Sequence, residues 1–259
     1  MTSAFDIRNG EHFRGADRSI AMLRPGGHIT LSFFRYPAGE RLWGMRQMAE
    51  MRRPLQDVEG LNFHKLLGTG GGAGYSVWPD FGTYGLLCAW EDRSAADAYH
   101  RTHAAHKAFA AHSEEIYTLH LVPLLSRGAW SGINPFMAGT PAEGGPLAVL
   151  TRATIKPRYI IPFWRRVRGV ARSLEGREGL LFTKGVGELP WVEQATFSVW
   201  RGEQDMTAFA YGRGQSHTDA VARTRQAKGF SEELYARFRV VDEVGTWKGG
   251  RPLAGVLKA

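Results

Sequence analysis

Apolar positions along this chain switch between strand-like runs and helical spacing, and the order of the switches is the same in both halves. From His28 the run HITLSFFRY is strand-like, and Pro37-Ala38-Gly39-Glu40 then turns the chain into Arg41 to Met51. There Leu42, Met45, Met48 and Ala49 recur at helical spacing. Gly60 closes that unit and Leu61 to Leu67 reads as a second strand. The segment GTGGGAG (Gly68 to Gly74) reads as a loop, because so many glycines weaken regular structure. Tyr84 to Trp90 is a third strand, Ser94 to Ala111 a helix with Ser94 as its N-cap and Asp97 in its first turn, and Ile116 to Leu124 a fourth strand. The predicted order is strand, helix, strand, strand, helix, strand.

The second half repeats it. Pro146 to Ala153 is strand-like and Tyr159 to Leu174 helical, Leu180 to Lys184 and Val192 to Trp200 are strands, Gly202 to Tyr211 and Thr218 to Lys228 are helical, and Leu234 to Glu243 closes the series. Short matches set a register between the halves: Gly60-Leu61 with Gly179-Leu180, Lys65 with Lys184, Trp90 with Trp200, His106 with His217, Ser113 to Tyr117 with Ser231 to Tyr235, and Trp130-Ser131-Gly132 with Trp247-Lys248-Gly249. Subtraction gives offsets of 119, 119, 110, 111, 118 and 117, so the pattern predicts an internal duplication. A βαββαβ unit is the ferredoxin-like pattern. Each such sheet has helices on one face and needs cover on the other. The expected fold is therefore α+β, two ferredoxin-like βαββαβ repeats packed as a pseudo-dimeric α+β barrel, with a cavity between the sheets for an apolar ligand or cofactor. The divisions are an N-terminal extension over 1–27, repeat 1 over 28–137, a linker over 138–145 (AGTPAEGG) and repeat 2 over 146–259.

Composition narrows the function classes. The chain has 259 residues, 43% of them apolar, which suits a folded globular protein. Its one cysteine, Cys88, permits no intramolecular disulfide and no thiolate metal cluster, which suits a reducing cytoplasm. No run approaches a membrane span, and residues 1–27 do not read as a secretory signal. The net charge of +8 favours nucleic acid, anionic lipid or an acidic protein partner without choosing among them. Signature aromatics of RNA-binding ferredoxin-like domains are not found, so nucleic acid is not expected.

Candidate chemistry centres on the histidines. His100, His103, His106 and His112 crowd one predicted helix, but Arg101 and Lys107 are interleaved and would repel a cation, so a solvated polar face is the expectation there. His217 differs: it follows the acid-started helical run Gly202 to Tyr211 and two glycines, Gly212 and Gly214. Such glycines let a flat macrocycle approach the backbone, and a neutral imidazole can ligate haem iron. A helix-capping or surface histidine is the alternative. Gly68 to Gly74 lacks the Lys-Ser/Thr end of a nucleotide loop and reads as a lid or hairpin connection. Arg165, Arg166, Arg168 and Arg172 read as a solvated face or an anion-facing patch, and Arg152, at the end of a second-half strand, could face the cavity. No Ser-His-Asp, paired-carboxylate or HExxH arrangement stands out.

Several long segments resemble spheroidene monooxygenases, the bacterial acyclic-carotenoid ketolases. In the second half these are LTRATIKPRYIIPFWRRVRGVARSLEG (Leu150 to Gly176), GLLFTKGVGELPWVEQATFSVW (Gly179 to Trp200), MTAFAYGRGQSH (Met206 to His217) and SEELYARF (Ser231 to Phe238). In the first they are TLSFFRY (Thr30 to Tyr36), LWGMRQM (Leu42 to Met48), RRPL (Arg52 to Leu55) and WSGINPF (Trp130 to Phe136). The resemblance implies a monooxygenase of carotenoid biosynthesis that carries haem b, takes electrons from reduced ferredoxin and oxygenates C-2 of spheroidene-type carotenoids. It implies His217 as the iron's axial ligand; Arg152 joins it as a cofactor-binding candidate only because its strand end could face the cavity. The first-half helix with His103 and His106 departs from the family pattern and receives no role. A cytoplasmic enzyme in peripheral contact with an anionic membrane face would reach a membrane-dissolved polyene. Two other classes remain: a carrier of haem or another apolar ligand, and a haem enzyme like the aldoxime dehydratases on the same barrel.

Overall fold

The computed structural model describes residues 27–72, 76, 78–136, 144–167, 177–211 and 226–257. Eight strands close into one antiparallel barrel: β1 (His28–Arg35), β2 (Leu61–Gly70), β3 (Pro79–Trp90), β4 (Glu115–Gly128), β5 (Leu147–Ile155), β6 (Leu180–Gly187), β7 (Glu193–Trp200) and β8 (Phe230–Gly245). Around the barrel the order is β1-β3-β2-β6-β7-β5-β8-β4. Read within halves, this is β4-β1-β3-β2 followed by β6-β7-β5-β8, the same connectivity taken in opposite directions. The halves meet along β4–β8, a long ladder from Tyr117 to Gly128, and along β2–β6, where only Gly68 with Gly187 and Thr69 with Val186 pair. Closure leaves no free edge to template aggregation.

The helices are α1 (Arg41–Glu50), α2 (Arg52–Gln56), α3 (Arg93–Thr102), α4 (Ala104–His112), α5 (Ile160–Val167) and α6 (Glu203–Tyr211). Most strand boundaries lie a few residues from the sequence reading, and two differences change the picture. Strand β2 runs on to Gly70 because Thr69 pairs with Asp80 and Gly70 with Pro79, so the glycine-rich segment begins as sheet. The predicted helix over Ser94 to Ala111 is two helices broken at His103, whose backbone is extended (φ −72°, ψ 136°). The break is capped: His103 Nδ1 accepts from Ala105 N–H at 3.2 Å. The cap of α3 is Asp92, accepting from Ala95 N–H at 2.9 Å, in place of Ser94.

Side chains alternate across the barrel wall. Ile29, Leu31 and Phe33 of β1, Leu119 and Leu121 of β4, Ala148 and Leu150 of β5, Phe197 and Val199 of β7 and Phe238 of β8 face inward and form one buried cluster. Aromatic rings fill its centre: Phe182 lies 5.5 Å from both Phe33 and Trp247 and 5.3 Å from Tyr117. A cavity between two sheets was expected, but the barrel interior is packed. Space for a ligand has to be sought on the outer faces, under the helices.

Both barrel ends are closed by matching devices. Gly128 and Gly245 end β4 and β8 with positive φ, and a Cβ at either would lie 2.1 Å from a backbone oxygen, of Glu233 and Ile116 respectively. Each therefore allows a backbone approach that only glycine permits. The tails then fold a tryptophan back over the barrel mouth: Lys65 Nζ stands 5.8 Å from the Trp130 ring, and Lys184 Nζ 5.7 Å from Trp247. Gly132 N–H donates to Glu232 across the seam, and Gly249 N–H donates to Glu115. Glu115 thus corresponds to Glu232, one position off the sequence register that set Glu114 against Glu232. The strand pairings agree, since Arg35 faces Glu115 on β4 and its counterpart Thr154 faces Glu232 on β8.

Candidate functional site

The register of the strands lets the outer faces of the two half-sheets be compared residue by residue. On β1 and β3 the outward pairs are Phe34 with Tyr84 and Ser32 with Leu86; on β5 and β7 the positions that match them are Ala153 with Gln194 and Thr151 with Thr196. Beside Leu86, β2 supplies Leu66, whereas beside Thr196, β6 supplies Gly185. In the first half these residues join Tyr36, Cys88, Trp90, Tyr99 and Phe109 in a continuous core under α1, α3 and α4. In the second half the described residues form two separate clusters. Leu147, Trp200 and Met206 pack at one end, Ile155, Phe163 and Phe230 at the other. Between them a cavity of about 420 Å³ opens over β7, β5 and β8, lined by Thr151, Ala153, Thr196, Gln194, Tyr235 and Phe163. Smaller side chains on an unchanged backbone plan make the room.

A second hollow, about 290 Å³, lies at the β2–β6 seam and shares Gln194 with the first. Its boundaries include Met45 and Met48 from α1 and Trp164 and Trp191 from the second half. Both volumes lie near or within the range of small-molecule sites.

Arg152, expected near the cofactor, sits on β5 beside the 420 Å³ cavity, but its guanidinium turns to the barrel end. It is 3% exposed and pairs with Glu232 and, at 3.2 Å, with Glu193, while Glu188 lies 4.0 Å away. The Trp130 ring lies 5.6 Å from it, and Lys65 Nζ reaches Glu188 at 2.6 Å. Burial, then neighbouring Glu188, pushes the Glu193 carboxyl up, against the pull of Arg152 and Lys65. Burial also opposes ionisation of Glu232, but the Gly132 and Ser131 N–H groups and Arg152 together hold its carboxyl below the usual range. Two cations and three carboxylates thus lock β2, β5, β7 and β8 at one mouth.

At the other mouth Lys184 is equally buried and donates to the Gly70 and Gly72 carbonyls, both at 3.1 Å, with Asp80 3.6 Å away. Burial pushes its pKa down, and Asp80 opposes that. The group is an anchor for the β2–β3 connection.

The first-half histidines are not a solvated face. His28 Nε2 and His120 Nδ1 are 2.8 Å apart between β1 and β4, His100 packs 5.7 Å from His120, and His106 packs 4.9 Å from His100. His112 is elsewhere, stacked 3.8 Å from Trp43 and bonded to Glu40. Burial pushes His28 down to about 4 and His100 to about 3, and lowers His106 and His120 too, so all four are neutral at pH 7. Among the described residues no group of three or more His, Cys, Asp or Glu side chains is placed to hold a metal ion. No spacing along the chain marks this stack, because His28 and His120 come from strands far apart in sequence.

His217, Gly212 and Gly214, with Arg168 and Arg172, lie outside the described residues, as does most of the predicted helix Thr218 to Lys228. Arg165 is exposed on α5. Among the described residues no helix is long and apolar enough to cross a membrane.

Comparison with characterised proteins gives a consistent picture. A spheroidene monooxygenase of Rhodobacter capsulatus is 38% identical over 229 residues, covering 87% of this chain and 95% of that protein. One from Rubrivivax gelatinosus is 35% identical, covering 91% of each, and one from Cereibacter sphaeroides is 34% identical, covering 89% of this chain and 72% of its own. No family model matches. Among solved structures, an aldoxime dehydratase bound to butyraldoxime superposes with a TM-score of 0.53 at 12% identity, over 83% of this chain and 80% of its own. A second aldoxime dehydratase gives 0.52 at 14%, over 88% and 86%. At such identities the structures share the fold alone.

Proposed function

This chain belongs to the spheroidene monooxygenase family, and from that premise we propose that it is a haem-dependent carotenoid monooxygenase whose cofactor lies against the outer face of β5, β7 and β8. The observation that carries the placement is the cavity opened where Phe34 and Leu86 of the first half give way to Ala153 and Thr196. A larger side chain at either of these positions would fill the space a macrocycle needs. We further infer that the halves are copies of one ferredoxin-like βαββαβ unit, which the shared strand order and the matching end closures support.

His217 would be the residue that holds the haem iron, and register supports it. Its first-half match, His106, has its ring 6.3 Å from that of Phe34, the position Ala153 occupies on the cavity floor. Haem, when bound, supplies oxygen activation and electron transfer. The chain's own residues do the rest. Phe163 and Phe230 close one end of the cavity with apolar surface and exclude water. Thr151 and Thr196, paired across β5 and β7, put hydroxyls on the floor, where a developing polar product can be hydrogen-bonded. Arg152 holds the adjoining barrel end rigid.

The proposed reaction is oxygenation at C-2 of a spheroidene-type substrate. Each insertion consumes one dioxygen, two electrons from reduced ferredoxin and two protons, and releases water. Two insertions at one carbon give a geminal diol, which loses water to a ketone. A net charge of +8 favours an acidic electron donor and, for a cytoplasmic protein, peripheral contact with anionic lipid.

The deciding measurement is the visible spectrum of the purified chain with and without His217→Ala. A Soret band in the wild type that disappears in the variant is expected. A band that persists unchanged removes His217 as ligand, and its absence from the wild type removes haem. Oxygenated product should form from spheroidene only when ferredoxin, its reductase and oxygen are all present.

A further inference from the structure

The seam between the halves carries a feature that the cofactor does not use. Where β2 meets β6, the facing residues are Gly68 and Gly187, so the outer surface there is bare backbone. Gly187 is obligatory, since a Cβ on it would lie 2.2 Å from the Glu193 carbonyl oxygen. Gly68 is not: a Cβ there meets only the Gly187 oxygen, at an ordinary 3.6 Å. This floor lies in the 290 Å³ groove beneath Met45 and Met48 on one side and Trp164 and Trp191 on the other. Trp164 Nε1–H is bonded to the Trp191 carbonyl at 3.1 Å, which joins α5 to the β6–β7 turn as one wall.

Of the groove's own lining, Phe81 is 55% exposed and Met45 and Trp191 45% each, and Trp78 and Leu189, next in sequence to the lining residues Pro79 and Pro190, are also open to solvent. A cluster of exposed large apolar side chains around a groove marks a surface that meets something apolar. At the inner end the groove reaches Gln194, which also lines the cavity over β5 and β7. The two hollows therefore meet at Gln194, whose side chain borders both.

We propose that the β2–β6 groove is the binding path of the polyene, with one end of the extended isoprenoid chain lying flat on Gly68 and Gly187 and passing Gln194 to the reaction cavity. The proposal rests on the reading of this chain as a carotenoid monooxygenase, from which the occupant's chemistry is taken. A glycine floor suits a rigid, flat chain that needs close approach to backbone. Thioether and indole walls suit an apolar rod without fixing its position along the groove. The groove holds a segment, and the exposed aromatic rim receives the part of the chain still emerging from lipid.

Gly68→Leu tests it, because the added side chain fills the groove without displacing backbone. Spheroidene in detergent micelles should quench the tryptophan fluorescence of the wild-type protein, with or without haem, and the variant should lose most of that quenching. In the reconstituted reaction the variant should raise KM for spheroidene at least tenfold, while its Soret spectrum, its cyanide affinity and its unfolding midpoint stay as in the wild type. Quenching and KM unchanged in a folded Gly68→Leu protein would overturn the proposal. So would palmitate competing with spheroidene as an equal, since the groove would then be an acyl-chain seat. Failure of the haem reading is visible separately, because the quenching experiment does not need the cofactor.

Discussion

The two half-sheets share one plan and differ in how much side chain they carry on their outer faces. Strand order, the glycines that end β4 and β8, the tryptophans beneath Lys65 and Lys184 and the glutamates capping the opposite turn recur in both. Yet the first half builds an unbroken aromatic core beneath its helices, whereas among the described residues of the second a cavity lies between two small clusters. Both halves need the inward-facing residues to fill the barrel. Outward positions are under no such shared demand, so one half can serve stability and the other a ligand. That a fold and a site can be separated in this way is general; here the separation runs between two stretches of one chain.

The comparison is broken most severely by making the second half resemble the first. Ala153→Phe with Thr196→Leu restores the residues found at Phe34 and Leu86, and the cavity has room for them. Loss of the Soret band and of oxygenation is expected, with an unfolding midpoint at or above that of the wild type. Haem retained by the double variant would show that the outer face of β5 and β7 is not the cofactor's floor. The reciprocal change should spare the cofactor. Phe34 is 1% exposed and its ring lies 4.7 Å from Phe109, so Phe34→Ala should cost about 4 kcal/mol in denaturant unfolding and leave the Soret band in place.

A smaller effect is expected where the halves are joined. Arg152→Met removes the guanidinium that Glu188, Glu193 and Glu232 surround. Three carboxylates with only Lys65 nearby is a costly arrangement, and stability should fall by about 3 kcal/mol at pH 7. Because removal leaves those carboxylates facing one another, acidifying towards pH 5 should recover part of the loss. A variant that unfolds like the wild type at pH 7 would show that the cluster is not a lock. If the Soret maximum shifts with no change in stability, Arg152 acts on the cofactor.

How much of this was legible beforehand follows from the range of the interactions. The element order is local, written in runs such as Leu61 to Leu67 and Tyr84 to Trp90, and it emerges in the barrel with boundaries moved by a few residues. The break at His103 falls in the polar run His100 to His103, which interrupts the apolar spacing for about one turn but carries no Gly or Pro to announce a stop. Gly68 to Gly70 look like loop by composition, and their strand state comes from partners on β3 and β6. Arg152's three carboxylates arrive from the β6–β7 turn, β7 and β8, so nothing near residue 152 announces them. The contrast of Phe34 with Ala153 was readable in principle, but only once a register between the halves is known, and the match of Glu114 with Glu232 misses the paired positions by one residue.

The smallest effect concerns the residue type that the first half buries and the sheet needs uncharged. His28 and His100 are pushed down to about 4 and about 3, by burial first and then by neighbouring imidazoles, with Arg93 adding to the shift at His28 and Asp97 opposing it at both. An unfolded chain binds protons at these positions below about pH 6.5, whereas the folded protein does not until its own lower values are reached. The unfolded state therefore holds more protons through that window, and stability falls as pH falls. Above pH 6.5 the contribution vanishes. Between pH 7.5 and 5.5 each of these histidines should cost about 1 kcal/mol. Comparing denaturant unfolding of the wild type with His100→Leu at the two pH values isolates one share: the variant should show a shallower fall. Equal slopes would mean that His100 takes up its proton in the folded protein, and that the imidazole stack between α3, α4, β1 and β4 opens to water in solution. Since His217 lies on the other half, acid loss of stability from this stack should proceed without a matching change in the haem spectrum until unfolding itself begins.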